Sequence, residues 1–216
     1  MTPLLTYFDV RGRAEIVRLI LEETATPYRE RRVDVAEWPT LKPTLLFGQL
    51  PTYEDGDLLI VQNHAICRYL ARKHDLQGAD EREHIRCDIV EEAFVDTLNS
   101  LGRLYWDPDF PRKRGEYEAT TLPDLLAKLQ KLFEQNKGGT GFWVGDRLSL
   151  ADFVAWHYLD YVRPLSPRML DRFPRLGAFK LRFERRPRVD AYLNSERRPK
   201  TLTVAGACFG GTPETS

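Results

Sequence analysis

The apolar positions of this chain change period once, near residue 75. Before that point they fall in short runs. Leu4–Phe8 is an apolar run ending in two aromatics and bounded by Asp9 and Gly12, which predicts a first strand. Ile16, Val17, Ile20 and Leu21 then share one face of a helix over 13–23. Tyr28–Val35 alternates weakly and predicts a second strand, while 38–46 carries Pro39 and Pro43 and predicts a broken helix. The stretch FGQLPTYEDGDLLIVQNHAICRYL, residues 47–70, places Glu54-Asp55-Gly56-Asp57 between two apolar segments, a hairpin signal because glycine takes the positive φ such turns need. Ile66, Tyr69 and Leu70 follow at helical spacing, with Asn63 in the N-cap position. The order is βαβ, an irregular segment, then ββα: an α/β unit of thioredoxin-like type over residues 1–76.

Downstream the apolar period is helical only. After a linker near 76–80, residues 81–105 form one long pattern through Ile85, Ile89, Val90, Phe94, Leu98 and Leu101, halted at Trp106-Asp107-Pro108. A second helix is predicted over 117–133, ending at Gly138-Gly139. Ser149-Leu150-Ala151-Asp152 is a capping box with Asp in place of Glu and starts another. Further helices are expected around 172–182 and 189–193, and the Gly-rich segment from Thr203 has no period. Residues 81–216 therefore read as an all-helical second domain.

Charge narrows the functional classes. Lys plus Arg and Asp plus Glu number 32 each, so no bulk electrostatic term favours nucleic acid or an acidic membrane. The Arg-rich segment 182–198 belongs to a chain of no net charge and reads as a solvated face rather than a nucleic-acid site. Three widely spaced cysteines, Cys67, Cys87 and Cys208, argue against a disulfide framework or zinc cluster. Cys67 and Cys87 read as buried small hydrophobes, and His64 and His157 as ordinary helix residues without partners at metal or triad spacing. No run approaches the ~18 apolar residues of a membrane span. A soluble cytoplasmic protein with no metal is expected.

The candidate chemistry lies in the hairpin stretch. A helix start presents unpaired N–H groups and partial positive charge, which attract a carboxylate. Pro51 enters its strand without a ladder donor, and a cis bond there would turn the backbone of Leu50 toward a cleft, free to pair with an extended peptide.

Tyr7 at the end of the first strand, Gln49-Leu50-Pro51 before a hairpin, a helix start after Gln62 and an all-helical second half together resemble the cytosolic glutathione S-transferases. The likeness is greatest to the pi class, with mu, alpha and sigma as near relatives. No single motif is diagnostic; the combination over residues 4–195 is specific. The resemblance implies an enzyme that adds the glutathione thiolate to small hydrophobic electrophiles, with glutathione as co-substrate and no cofactor. It implies Tyr7 as the residue holding the thiolate and Arg13 beside the sulfur. Trp38 and Lys42 would grip the glycine carboxylate, and Leu50, ahead of Pro51, would pair with the cysteinyl backbone, with Gln49 alongside. Gln62 and Asn63 would hold the γ-glutamyl end, and Asp96 would reach the γ-glutamyl amine across a homodimer. Phe47 would be the aromatic key of that dimer. Either Tyr105 or Trp106 would line the electrophile pocket. At Asn63 the family usually has Ser or Thr. Two other readings stay open: a non-catalytic, crystallin-like member of the fold, and a sigma-type prostaglandin isomerase.

Overall fold

Leu5 and Tyr53, directly paired on adjacent antiparallel strands and both fully buried, mark the centre of a four-stranded sheet. In the computed structural model, which describes residues 1–216, the strands are β1 (Leu4–Phe8), β2 (Arg29–Val33), β3 (Thr52–Asp55) and β4 (Leu58–Val61), in the order β2-β1-β3-β4. β2 runs parallel to β1 and the other neighbours are antiparallel. The parallel pair needs a crossover, supplied by α1 (Glu15–Glu23), which buries every residue from Glu15 to Leu21. Gly56 turns the β3–β4 hairpin at φ 66°, as the Asp-Gly signal requires. The proline-bearing stretch breaks into α2 (Trp38–Leu41) and a 3-10 turn (Lys42–Thr44), and the Leu50–Pro51 bond is cis.

Helix α3 (Asn63–Lys73) departs from the sequence reading at its first residue. The N-cap position belongs to Gln62, at φ 71° and ψ 117°, and Asn63 is already helical. Its side chain makes no capping bond; its Oδ1 accepts from the Cys67 thiol at 3.6 Å along the helix.

The remaining helices are α4 (Glu81–Tyr105), α5 (Phe110–Glu116), α6 (Leu122–Glu134), α7 (Leu150–Leu165), α8 (Pro174–Glu184) and α9 (Pro187–Leu193). The helix expected over 117–133 begins earlier: Pro111, in the first turn where a missing N–H costs nothing, opens α5, and a π turn over Tyr117–Thr121 joins it to α6. α7 is the core helix, with thirteen consecutive buried residues from Leu150 to Val162, apolar nearly all round. Its start is the expected capping box, in which Asp152 accepts from the Ser149 N–H at 2.9 Å, the Ser149 hydroxyl at 3.0 Å and the Trp143 N–H at 3.0 Å. Burial lifts the Asp152 carboxyl to about 6 against those donors.

α1 packs on both α3 of its own unit and on α7 and α9. Charge as well as apolar surface crosses that contact. Glu15, fully buried on α1, accepts from Arg18 at 3.2 Å, the Tyr192 hydroxyl at 2.9 Å and Arg198 at 2.8 Å. Asp160 of α7 accepts from Arg11 at 3.0 Å and Arg198 at 2.6 Å. The expectation of a solvated Arg face over 182–198 fails at Arg198, whose side chain is only 18% exposed because two buried carboxylates draw it inward.

Candidate active site

A cavity of about 630 Å³ opens between the sheet end of the first unit and helices α4 and α7. Tyr7 leaves the C-terminal end of β1 on its wall. The loop after β1 turns back through Gly12, at φ 43°, so that the Arg13 N–H donates to the Tyr7 hydroxyl oxygen at 3.0 Å. Only glycine permits this approach, since a Cβ at residue 12 would sit 2.6 Å from Tyr7 Cε1. With the oxygen occupied as an acceptor, the phenolic proton is free to point into the cleft. Burial, partly offset by the Arg13 N–H and the Arg18 charge, raises the Tyr7 pKa above its ordinary value, so this hydroxyl stays a donor.

The loop is held from both sides. The Arg18 guanidinium donates to the Val10 and Arg11 carbonyls at 3.0 and 3.2 Å and lies 5.9 Å from the Tyr7 ring centre. The Arg11 and Gly12 N–H groups donate to the Thr201 and Leu202 carbonyls, both at 2.8 Å. Thr203 and Val204 then form part of the cavity wall, so the segment without sequence period is a structural part of the site.

Of the residues singled out in the sequence, Tyr7, Arg13, Trp38, Gln49, Leu50, Tyr105 and Trp106 line the cavity. Trp38 packs edge-on against Phe8 at 5.2 Å. The Arg13 side chain is exposed at the mouth, so its one fixed contact with Tyr7 is through the backbone. Gln62 stands outside the cavity but its amide donates to the Gln49 oxygen at 3.2 Å, joining the cleft to the start of α3. The N–H groups of Asn63, His64 and Ala65 at that start have no intrahelical partner. Lys42, exposed, lies along the α2 side beside Gly48, and Pro51 is buried behind Leu50. Asp96 projects from α4 as an exposed carboxylate, and Phe47 is 64% exposed beside exposed Leu46.

Tyr105 and Trp106 differ sharply. Tyr105 is fully buried and its hydroxyl donates to the Tyr161 carbonyl at 2.6 Å, whereas the Trp106 ring is half exposed at the cavity. Trp106 is thus the residue with surface to offer a ligand. His157, read as an ordinary helix residue, proves to lie at the cavity floor, 3% exposed, with its ring 5.0 Å from that of Tyr161 and neither nitrogen bonded within the chain. Burial drops its pKa to about 4, outweighing Glu15 and Asp160, so the imidazole is neutral. Its position among the mostly apolar residues of α7 was the one available signal. His64, by contrast, faces Glu91 at 2.8 Å.

The comparisons with known proteins fit this geometry. The family model for the glutathione S-transferase N-terminal domain matches residues 3–72, and that for the C-terminal domain matches residues 95–196. The chain is 39% identical to a glutathione S-transferase P of Caenorhabditis elegans, over 90% of this chain and 93% of the relative. It is 37% identical to human glutathione S-transferase Mu 2, over 97% and 99%. The solved pi-class glutathione S-transferase of Onchocerca volvulus superposes with a TM-score of 0.90 at 33% identity, covering 96% of this chain and all of that one. With both domain models matched and relatives aligned over nearly its full length, the chain belongs to the cytosolic glutathione S-transferases and is similar to their pi- and mu-class members.

Proposed function

We propose that the protein conjugates glutathione to small apolar electrophiles, with the Tyr7 hydroxyl donating to the glutathione sulfur. The observation that carries this reading is the Arg13 N–H on the Tyr7 oxygen, which leaves the phenolic proton as the donor at the cavity wall. A thiol of pKa ~8.5 is about 3% ionised at pH 7. A downward shift of about two units raises the thiolate fraction about 25-fold, and the accompanying loss of nucleophilicity returns about 8-fold of it. The net gain is about threefold, so most acceleration comes from holding the electrophile against the sulfur. Trp106 and the apolar wall contributed by Leu98, Val10 and Val204 provide the surface for that.

In this reading Arg13 sits beside the sulfur, and Trp38 and Lys42 bind the glycine carboxylate. The Leu50 backbone ahead of Pro51 pairs with the cysteinyl unit next to Gln49. Gln62 and Asn63 bind the γ-glutamyl end at the α3 N-terminus, and Asp96 of a second subunit reaches its amine. Exposed Phe47 and Leu46 support a homodimer in which each buries about 200 Å² or less of apolar side chain in its partner. Sedimentation of the wild-type chain at micromolar concentration tests this, and a monomer refutes it. All three cysteines are free, which fits a reducing cytoplasmic setting, and no helix is long and apolar enough to cross a membrane.

Tyr7→Phe is the direct test. With glutathione and an aryl halide, kcat at pH 7 should fall several-fold and the glutathione Kd should rise about fourfold, the amount by which a two-unit thiol shift strengthens binding at that pH. Thiolate absorbance of the bound complex should titrate about two pH units higher. An unchanged titration removes Tyr7 from this role.

A further inference from the structure

The charge lining the cleft exceeds what a neutral electrophile would use. Among its eighteen lining residues two are cations, Arg13 and Arg103, and none is a carboxylate. Arg13 has a place beside the sulfur in the reading above. Arg103 has none. It lies in the last turn of α4, exposed, and forms no ion pair within the chain. Asn99, one turn earlier on the same face, also lines the cleft, and its amide is likewise without a partner in the chain.

The surrounding carboxylates do not neutralise this pair. Asp107, one turn beyond Arg103, is held by the Lys113 ammonium at 2.6 Å and by the Asp109 N–H at 2.9 Å. Asp96, seven residues back along α4, is about 10 Å away along the axis. Glu116 lies across an outer groove that Arg103 also borders, in the company of Arg112 and Lys113. A guanidinium and an amide one turn apart on the same cavity wall offer several N–H donors without partners in the chain, a set suited to a carboxylate.

We propose that the preferred electrophiles are acids: apolar molecules bearing a carboxylate remote from the reacting carbon, with Arg103 and Asn99 as the residues that hold it. The proposal rests on the conjugating activity proposed above and names its substrate class. For an unsaturated carbonyl acid the step is an addition. The sulfur–Cβ bond forms, the C=C π pair moves to the α carbon, and that carbon takes up the proton that left the thiol. Nothing is oxidised, and no leaving group departs.

The test compares benzylidene acetone carrying a para carboxylate with its methyl ester, both with glutathione. For the wild-type dimer or monomer as isolated, the acid-to-ester ratio of kcat/KM should exceed the ratio of the uncatalysed reactions. Arg103→Gln should lower the enzymatic ratio about fivefold, since the guanidinium is at an exposed lip rather than buried, and Arg103→Glu should lower it further. Asn99→Ala should give a smaller drop in the same direction. Raising ionic strength should erode the wild-type ratio and leave that of Arg103→Gln flat. A structural effect of substitution would change both substrates together and leave the ratio unmoved. A wild-type ratio equal to the uncatalysed one, or a ratio unaltered in Arg103→Gln, overturns the acid preference while leaving conjugation intact. Failure to conjugate either enone or an aryl halide overturns both.

Discussion

Replacing Asp160 by Asn removes the shared anion from between two guanidinium groups at the contact between the two halves of the molecule. Asp160 and Arg11 have side chains only 6% and 7% exposed, and the carboxylate oxygen accepts from Arg11 at 3.0 Å and Arg198 at 2.6 Å. Burial alone would raise this carboxyl; Arg198 and Arg11 outweigh it and hold it below the usual range. Asn keeps one acceptor oxygen but leaves both cations facing a neutral group. Breaking a buried pair from one side costs about 3–5 kcal/mol. Arg198 retains Glu15 as a partner, so the lower end, about 3 kcal/mol, is expected. For a chain of this size that corresponds to a fall in Tm of about 6–12 °C. Urea and thermal unfolding at pH 7 measure it, and a loss under about 1 kcal/mol would refute the view that this pair is dry. A second variant sharpens the point: Arg11→Met in the Asp160→Asn background should restore part of the loss, because the burden is the unpaired buried charge. The pH dependence follows in sign. A depressed folded carboxyl contributes stability fully above the unfolded value of ~3.9, and loses it as pH falls through the folded one.

His157→Leu should flatten the acid limb of stability. The folded imidazole, near 4, lies below the unfolded ~6.5, so wild-type stability falls as pH drops through that window, by about 2 kcal/mol between pH 7.5 and 5. Asp152, near 6, works in the opposite direction over part of that range, so the two proteins must be compared at each pH; an identical slope by urea unfolding would show His157 is not the titrating group. At α3, Asn63 turns its oxygen to Cys67 and leaves the helix N-terminus unobstructed. Asn63→Ser should therefore keep the glutathione Kd within about threefold, while Asn63→Asp, which sets a like charge against the γ-glutamyl carboxylate, should raise it at least about tenfold. Calorimetry on the three proteins checks this, and tighter binding by the serine form would mean that the amide does obstruct the site.

The sequence was most informative where local physics decides the conformation. β1, an apolar run, and α4, a sustained helical period, occupy the predicted residues because breakers follow each, and the Ser149 box fixes the start of α7 through bonds within one turn. Tyr7, Trp38, Gln49 and Leu50 were reachable through the family pattern and do meet at one cavity. Asn63 was misplaced by one residue because an Asn before an apolar face signals a cap, whereas here the sheet-to-helix turn forces Gln62 to positive φ instead. Arg11, Glu15, Arg18, Asp160 and Arg198 gave no sign of burial in the sequence. Charged residues look solvent-facing in one dimension, on a helix or in a loop, and the burial of these depends on partners far along the chain. The Thr203–Val204 wall was hidden because an aperiodic segment shows nothing of what it packs against.

The contacts of the Tyr7 loop also set the order in which this molecule acquires its site. Arg11 bonds the Lys200 carbonyl, 189 residues away, and the adjacent N–H groups of Arg11 and Gly12 pair with Thr201 and Leu202. During vectorial synthesis the sheet, α1 and Tyr7 are all present long before those carbonyls leave the ribosome. Until then the Arg11 and Gly12 N–H groups lack these carbonyls and Arg11 lacks Asp160, so the Tyr7 loop is held by Arg18 and by its own local backbone bonds, Val10 N–H to Phe8 and Glu15 N–H to Arg11. A nascent chain thereby carries Tyr7 well before it carries the residues that complete the loop beside it, Asp160, Lys200, Thr201 and Leu202.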